Sequence, residues 1–360
     1  MNNFEKRVKN PSLDIWPLLN QIDELKGQWI GGAQLNPQAL GRLKRSVLVT
    51  STGASTRIEG AKLTDDEVEK LMRGLSLQKL ADRDKQEVQG YYELLDNVFK
   101  SWQSIPFTES TIKHFHKELL KYAQKDQRHR GEYKKIENKV AMADAAGKTV
   151  GVLFDPTPAY LTPKAMRELM EWTNEALALK EIHPLFIIGN FIVEFLKIHP
   201  FQDGNGRLSR VLTNFLMLKH GYAYMPYVSH EKLVEDNKTD YYLALRQSQK
   251  TFLPAGALAK EGGADKEDIS VWMKFFLTIL LAQIKQALAL LSGENIEKLL
   301  SPKQLAVWRY LRPGLEATPG EIAKTAKVAR PTVSQALEKL LRLKKIERLG
   351  QGRTTRYKKI

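Results

Sequence analysis

The sequence predicts a mostly α-helical protein that carries one short β-hairpin and ends in a small basic module. Three observations point there. Helical periodicity of apolar residues runs through most of the first 300 positions. One stretch, 138–158 (NKVAMADAAGKTVGVLFDPTP), instead has two short β-prone runs around Ala145, Ala146, Gly147 and Lys148, stopped by Pro156 and Pro158, which is a hairpin signal. Residues 301–360 hold 15 of the 56 Lys and Arg residues but only 4 of the 41 acidic ones, so +11 of the net charge of +15 lies there.

At 360 residues the chain suits two or three domains and can bury a sizeable core. It has no cysteine, which excludes a disulfide framework, a thiolate zinc site and a thiol nucleophile. The opening MNNFEKRVKN lacks the apolar region of a signal peptide, and the apolar stretch 271–293 is interrupted by Lys274 and Lys285. The expectation is a soluble, cytoplasmic protein with no membrane partner. Its oligomeric state is left open, a homodimer included.

Taken in order, the periodicity predicts helices over 64–80, 86–100, 109–123, 162–179 and 184–198, with the hairpin between the third and fourth. Residues 184–198 (PLFIIGNFIVEFLKI) are apolar nearly all round, so this helix should lie at a domain centre. The glycine and proline of SGENIEKLLSP (292–302), just ahead of the basic stretch, predict a domain boundary near 300. No internal repeat is present.

The densest chemistry is HPFQDGNGRLSR, residues 199–210. Pro200 disfavours helix for the residue before it, which leaves His199 at the tip of the buried helix. Gly204 and Gly206 let backbone amides turn toward one point just as a new amphipathic helix begins, and a helix N-terminus preceded by glycines binds anions. Arg207 and Arg210 share a face of its first turns, where guanidinium groups reach phosphates. Asp203 offers the kind of oxygen ligand that Mg²⁺ takes. Each feature alone is usually structural or solvated; together within twelve residues they describe a triphosphate cradle with a base beside it. Nucleotidyl or phosphoryl transfer is the reaction class this suits.

That stretch resembles the signature of the Fic family, HxFx(D/E)GNGRxxR, with every defining position filled, and the likeness extends over roughly residues 90–290. The resemblance implies a Fic-type helical core and a protein adenylyltransferase that moves AMP from ATP to a Ser, Thr or Tyr hydroxyl of a target protein. It implies His199 as general base, Asp203 as the Mg²⁺ ligand and Gly204, Asn205 and Gly206 as the anion hole. Arg207 and Arg210 would bind the distal phosphates, and Val152, Leu153 and Phe154 would form a flap that aligns the target by strand addition. Tyr241, Tyr242 and Gln247 fall where such proteins contact the nucleotide base. For one of the tyrosines, core packing is the competing reading.

Upstream, Ser55 and Glu59 are four apart and share a helix face, with Gly60 as a helix stop. Ser55-x-x-x-Glu59-Gly60 resembles the inhibitory motif (S/T)xxxE(G/N) of Fic proteins that carry their own brake. A glutamate paired with Arg210 would take that arginine from the γ-phosphate and put negative charge where ATP needs its own. Self-modification is expected at nearby hydroxyls, Ser51, Thr52, Ser55 and Thr56 among them.

In the basic module, helices are expected over 303–312, 321–329 and 331–346, followed by the glycine-punctuated tail ERLGQGRTTRYKKI. This resembles a winged helix-turn-helix. Arg330, Thr332, Ser334 and Gln335 would face a major groove of duplex DNA, with Arg353 and Arg356 on the wing. The competing use is protein contact or dimerisation. The expected organisation is an N-terminal helical region over 1–90 with the inhibitory motif, a catalytic core over 91–295 and a winged-helix domain over 296–360. Two rival functions stand beside the transferase: a DNA-binding regulator with a silent Fic domain, and an enzyme using another nucleotide or phosphate ester as donor.

Overall fold

The computed structural model describes residues 3–9, 12–32, 37–74, 83–138, 140–143, 149–154, 156–249, 268–291, 300–312, 314–342, 345–350, 352 and 355–359. The described elements run α1 (Asn3–Lys9), α2 (Trp16–Gly32), α3 (Pro37–Ile58), α4 (Asp65–Gly74), α5 (Arg83–Ser101), α6 (Glu109–Leu119), β1 (Val140–Ala143) and β2 (Thr149–Phe154). They continue with α7 (Thr162–Leu179), α8 (Pro184–Ile198), α9 (Asn205–Lys219), α10 (His230–Asp236), α11 (Lys238–Ser248) and α12 (Ser270–Leu291). Last come α13 (Pro302–Tyr310), β3 (Glu316–Ala317), α14 (Pro319–Thr325), α15 (Arg330–Arg342), β4 (Ile346–Leu349) and β5 (Arg356–Lys359).

They gather into two compact units, one of Met1–Asp23 and Arg45–Gln283, the other of Glu24–Lys44 and Ile284–Ile360. The N-terminal region expected at 1–90 thus shares most of its length with the helical core, and the second unit takes up at 284 rather than near 300. The reason is visible in α3: Leu48, Ala54 and Ile58 are buried in the first unit together with the polar Ser51, Thr52, Ser55 and Thr56.

In that unit α8 is the central rod. Every residue from Leu185 to Ile198 except Lys197 is buried, as its all-round apolar sequence demands. It packs against α1, α7 and α9, while α5 and α6 cover α9. Edge-on aromatic contacts, Phe107 on Phe191 (5.2 Å) and Phe115 on Phe215 (5.4 Å), knit these helices together. Among the described residues α12 has the length and apolarity of a membrane span, yet half of that stretch is buried in the protein and Lys274 pairs with Asp14 at 2.7 Å.

The hairpin forms as expected: β1 and β2 are antiparallel, with Val140 opposite Phe154 and Ala141 opposite Val152, and the register shifts between these two pairs. Its turn residues 145–148 lie outside the described set. Helix α6 stops at Leu119 instead of 123, because Leu120 and Ala123 leave the helix to be buried in the core through a series of tight turns.

The second unit has its own core, including Val307, Trp308, Leu311, Ile322, Val333, Leu337, Leu340 and Ile346. Three helices stand against an antiparallel sheet of order β3-β5-β4. Helix α14 ends at Thr325, short of the expected 329, because Lys327 turns left-handed (φ +52°). Helix α15 ends at Arg342, where the chain turns back through Lys345 N–H to Leu340 O (3.0 Å) so that Ile346 can start β4.

Helices α5 and α6 approach so closely at Gly90 that a Cβ there would lie 2.1 Å from the Leu119 carbonyl oxygen, a backbone atom with little room to yield. Gly90→Ala should therefore cost about 1–3 kcal/mol in denaturant unfolding. Gly27→Ala, with nothing within 4 Å, should be neutral or mildly stabilising. Equal stability of the two variants would refute this packing.

Candidate active site

The site is built where α8 breaks. Pro200 disfavours helix at His199, which takes the left-handed conformation (φ +50°, ψ 60°) while its N–H still closes the last turn onto Phe195 O at 2.9 Å. Nδ1 of the ring lies 3.3 Å from Leu196 O. A carbonyl can only accept, so Nδ1 carries the hydrogen and Nε2 is the accepting nitrogen. Burial lowers the pKa to about 4, helped by the Lys134 ammonium and opposed by Leu196 O and the charges of Glu59 and Asp203. The imidazole is neutral at pH 7.

The loop that follows is tied back on itself. Asn205 accepts from Phe201 N–H (2.9 Å) and donates to Phe201 O (2.7 Å). Gly204, at φ +78°, sets the turn into α9, and the first helical bond runs from Leu208 N–H to Gly204 O (2.9 Å). The amides of Asn205, Gly206 and Arg207 precede that bond, so they form the anion-binding end of the helix. The Asn205 side chain itself is engaged in holding the loop. Beneath it His116 stacks on Phe201 (centroids 3.8 Å, 10°), accepts at Nδ1 from Gly131 N–H (2.8 Å) and donates from Nε2 to Asp203 O (3.0 Å).

Asp203 accepts from its neighbour Gly204 N–H (2.6 Å) and Arg207 (3.3 Å) on one oxygen and from Arg83 (2.6 Å) on the other. Burial pushes its pKa up, but the Arg207 guanidinium, the Gly204 amide and Arg83 outweigh that and hold it below the usual carboxylate value. Glu87 pairs with Arg207 (2.5 Å) and Arg83 (2.6 Å). Among the described residues no cluster of three His, Cys, Asp or Glu side chains would cage a metal. The donor set fits a Mg²⁺ that arrives with phosphate oxygens and keeps one carboxylate ligand, provided Arg83 yields its place on Asp203.

Arg210, 2% exposed, donates to Ser55 Oγ (2.8 Å), Ser55 O (2.9 Å) and Glu59 Oε1 (2.7 Å). The same carboxylate lies against Gly206: a Cβ there would meet Glu59 Oε1 at 2.2 Å. Glu59 thus occupies the anion-binding end of α9 and one arginine at once. It is delivered there because α3 ends at Ile58 and Gly60 turns away at φ +103°. Arg57 staples this turn, donating to Glu235 (2.6 and 3.1 Å), Leu63 O (2.9 Å) and Asp65 (2.9 Å). Gly53 makes room, since a Cβ there would lie 2.6 Å from both Arg57 and Asp65.

The expectation of self-modification at Ser51, Thr52, Ser55 or Thr56 is overturned for these four. All are at most 1% exposed, and their hydroxyls are bonded inside the core, to Ser229, Leu48 O, Arg210 and Thr52 O respectively.

Of the residues expected at the base, Tyr241 is 4% exposed and packs its ring on Trp272 and Phe275, while its hydroxyl meets Arg210 and Ser209. Tyr242 donates to Ile58 O (3.3 Å), beside the turn carrying Glu59. Gln247 is exposed on α11. Val152, Leu153 and Phe154 all lie in β2. In the second unit Arg330, Ser334 and Gln335 are exposed on α15, Thr332 is half-buried and Arg356 is exposed on β5; Arg353 lies outside the described residues. His116, Arg83, Glu87, Arg57 and Lys134 escaped the sequence reading. They lie far from 199–210 in sequence, and no spacing motif marks them.

Residues 106–217 match the family model "Fic/DOC family". Over 100 residues the chain is 30% identical to a probable protein adenylyltransferase of Aquifex aeolicus, covering 28% of either chain. Over 159 residues it is 26% identical to protein adenylyltransferase Fic of Drosophila willistoni, covering 44% of this chain and 30% of that one. The chain thus spans less than a third of the length of these relatives. A Fic family protein from Desulfovibrio desulfuricans G20 has a similar fold, with a TM-score of 0.61 at 22% identity over 98% of this chain and 97% of its own.

Burial holds the pKa values of His116, His199 and His230 at about 4, against an ordinary 6.5. As pH falls from 6.5 toward 4 the unfolded chain takes up protons that these folded rings refuse, so their stabilising contribution is whole above 6.5 and lost on acidification. Three of the seven histidines should remain neutral at about pH 5.5 in a ¹³C-histidine NMR titration, and the denaturation midpoint should drop between pH 7 and 5. Titration of all seven near 6.5 would contradict the burial.

Proposed function

We propose, from the Fic/DOC match and the adenylyltransferase relatives, that this chain transfers AMP from ATP to a hydroxyl of a target protein. The observation that carries the proposal is the convergence at one helix start of a neutral His199, the amides of Asn205, Gly206 and Arg207, and the guanidinium groups of Arg207 and Arg210. In this reading Nε2 of His199 takes the proton as the target oxygen attacks the α-phosphorus. The bond from that phosphorus to the bridging oxygen breaks, and pyrophosphate leaves. The α9 amides and arginines stabilise charge on the phosphates, and Asp203 steadies Mg²⁺ brought with ATP. The open edges of the β1–β2 pair suit strand addition by the target.

Glu59 is the brake in this proposal. Its carboxylate sits on Gly206 and Arg210, so ATP has to displace it before the phosphates reach the helix amides. Glu59→Gly should raise pyrophosphate release by roughly 10-fold or more, and His199→Ala should abolish it in that background. Incubation with ATP and Mg²⁺, reading pyrophosphate and the intact mass of added proteins for AMP, checks both. Silence of every variant, each shown to be folded, would favour the rival of a regulator with a silent Fic domain; activity with another nucleotide alone would favour the rival donor.

A second role belongs to the C-terminal unit. Helices α13 to α15 and the β3-β5-β4 sheet support the reading of this part as a winged helix-turn-helix, and Arg330, Ser334 and Gln335 stand exposed on α15 and Arg356 on β5. We infer duplex DNA as the partner of this face. Titrating the full chain with duplex DNA should give an affinity that falls steeply with salt, and Arg330→Ala with Arg356→Ala should lower the salt slope by about 2. Binding without salt dependence, or none at all, rules this role out.

A further inference from the structure

His199 sits in a left-handed backbone conformation that few non-glycine residues adopt. The backbone around it is bonded by a segment outside residues 199–210. Lys134 Nζ donates to Ile198 O (3.1 Å), on the amino side of His199, and Lys134 N–H donates to Pro200 O (2.9 Å), on the carboxyl side. Asn138 Nδ2 donates to Phe201 O (3.0 Å), and its Oδ1 accepts from Lys134 Nζ (3.0 Å), closing the ring of contacts. The carbonyls of Ile198, Pro200 and Phe201, which bracket His199, are therefore all claimed by residues 134 and 138. Lys134 is 3% exposed, so these bonds are shielded from water.

The same segment leads straight into the hairpin, whose first strand begins at Val140. The return leg is fixed next to the same helix end, with Thr157 N–H on Lys197 O (3.4 Å) and Ala159 N–H on Glu137 Oε1 (2.9 Å). Both roots of the hairpin are thus bonded within two residues of His199 or to the segment that grips it.

We propose that Lys134 and Asn138 are positioning residues that hold His199 in its left-handed conformation and lock the accepting nitrogen in register with the roots of the flap. The proposal rests on the transferase reading above. Neither side chain is offered to nucleotide or target; they act through the backbone around the base. Anion binding belongs to α9 and its arginines, which the clamp does not contact, so loss of the clamp should slow the chemical step and spare nucleotide affinity.

The test is made in the Glu59→Gly background, with ATP and Mg²⁺ as probes. Turnover is read as pyrophosphate release with added proteins present, the AMP going to their hydroxyls or to water as acceptor; affinity is read as the equilibrium Kd for ATP, and folding as the melting transition. Asn138→Ala, at a half-buried position, and Lys134→Met should each lower kcat by roughly 10- to 100-fold, the scale of a misplaced base, with Kd changed less than about threefold. The double variant should be little worse than the worse single one, because the two side chains act as one clamp. Turnover equal to the parent's would overturn the proposal. So would a joint fall of kcat, affinity and melting temperature, which marks a structural role only. Asn138→Ala decides the matter if Lys134→Met does not fold. A Glu59→Gly parent that binds ATP and never turns over takes down the transferase reading, and this proposal with it, a result distinct from either of the others.

Discussion

Two buried helices meeting end to end through a break of six residues impose a problem of unpaired backbone. The end of α8 leaves carbonyls without partners and the start of α9 leaves amides without partners, and both ends are enclosed by the core. The two are met differently. The carbonyls around His199 are taken by Lys134 and Asn138, and the loop closes through Asn205, whereas at the start of α9 the Glu59 carboxylate lies against Gly206. Positive potential is therefore left concentrated at one point, and the site follows from it.

Charge is balanced around that point by pairs drawn from distant parts of the chain. Arg210 is matched by Glu59, Arg207 by Glu87 and Asp203, and Arg57 by Glu235 and Asp65. A buried guanidinium stripped of its partner is costly, of order 3–5 kcal/mol. An incoming phosphate can substitute for Glu59 without that cost, because it brings its own negative charge. In the proposed brake, the carboxylate that keeps phosphate out is also the partner that Arg210 has in its absence.

Much of this was legible in the sequence. The all-round apolar pattern of 184–198 gave the central helix to the residue, Pro200 placed the break, and Gly60 placed the end of α3. The spacing of Ser55 and Glu59 put both on one face, where both meet Arg210. What could not be read were the tertiary partners. His116, Lys134 and Arg83 carry no local pattern, since an isolated polar residue in a helix or turn looks the same whether it faces water or a buried carbonyl. For Tyr241 spacing left two readings open, and the structure packs its ring on Trp272 with its hydroxyl beside Arg210. The buried hydroxyls of α3 were equally hidden, because a polar run reads as solvated until the helix is seen inside the core.

The burial of α3 carries one more consequence. A helix that contributes Leu48, Ala54 and Ile58 to the core, and whose last turn is buried through Ser55, Thr56 and Ile58, cannot leave as a detachable plug; Glu59, in the turn just after it, keeps a third of its side chain exposed. In the proposed brake a phosphate ligand competes with that one side chain, and its apparent dissociation constant is its intrinsic value divided by the fraction of molecules with Glu59 turned out. Small shifts in that fraction move the threshold concentration in proportion. Under that proposal a single side chain, rather than the helix that carries it, sets how much phosphate ligand the site needs.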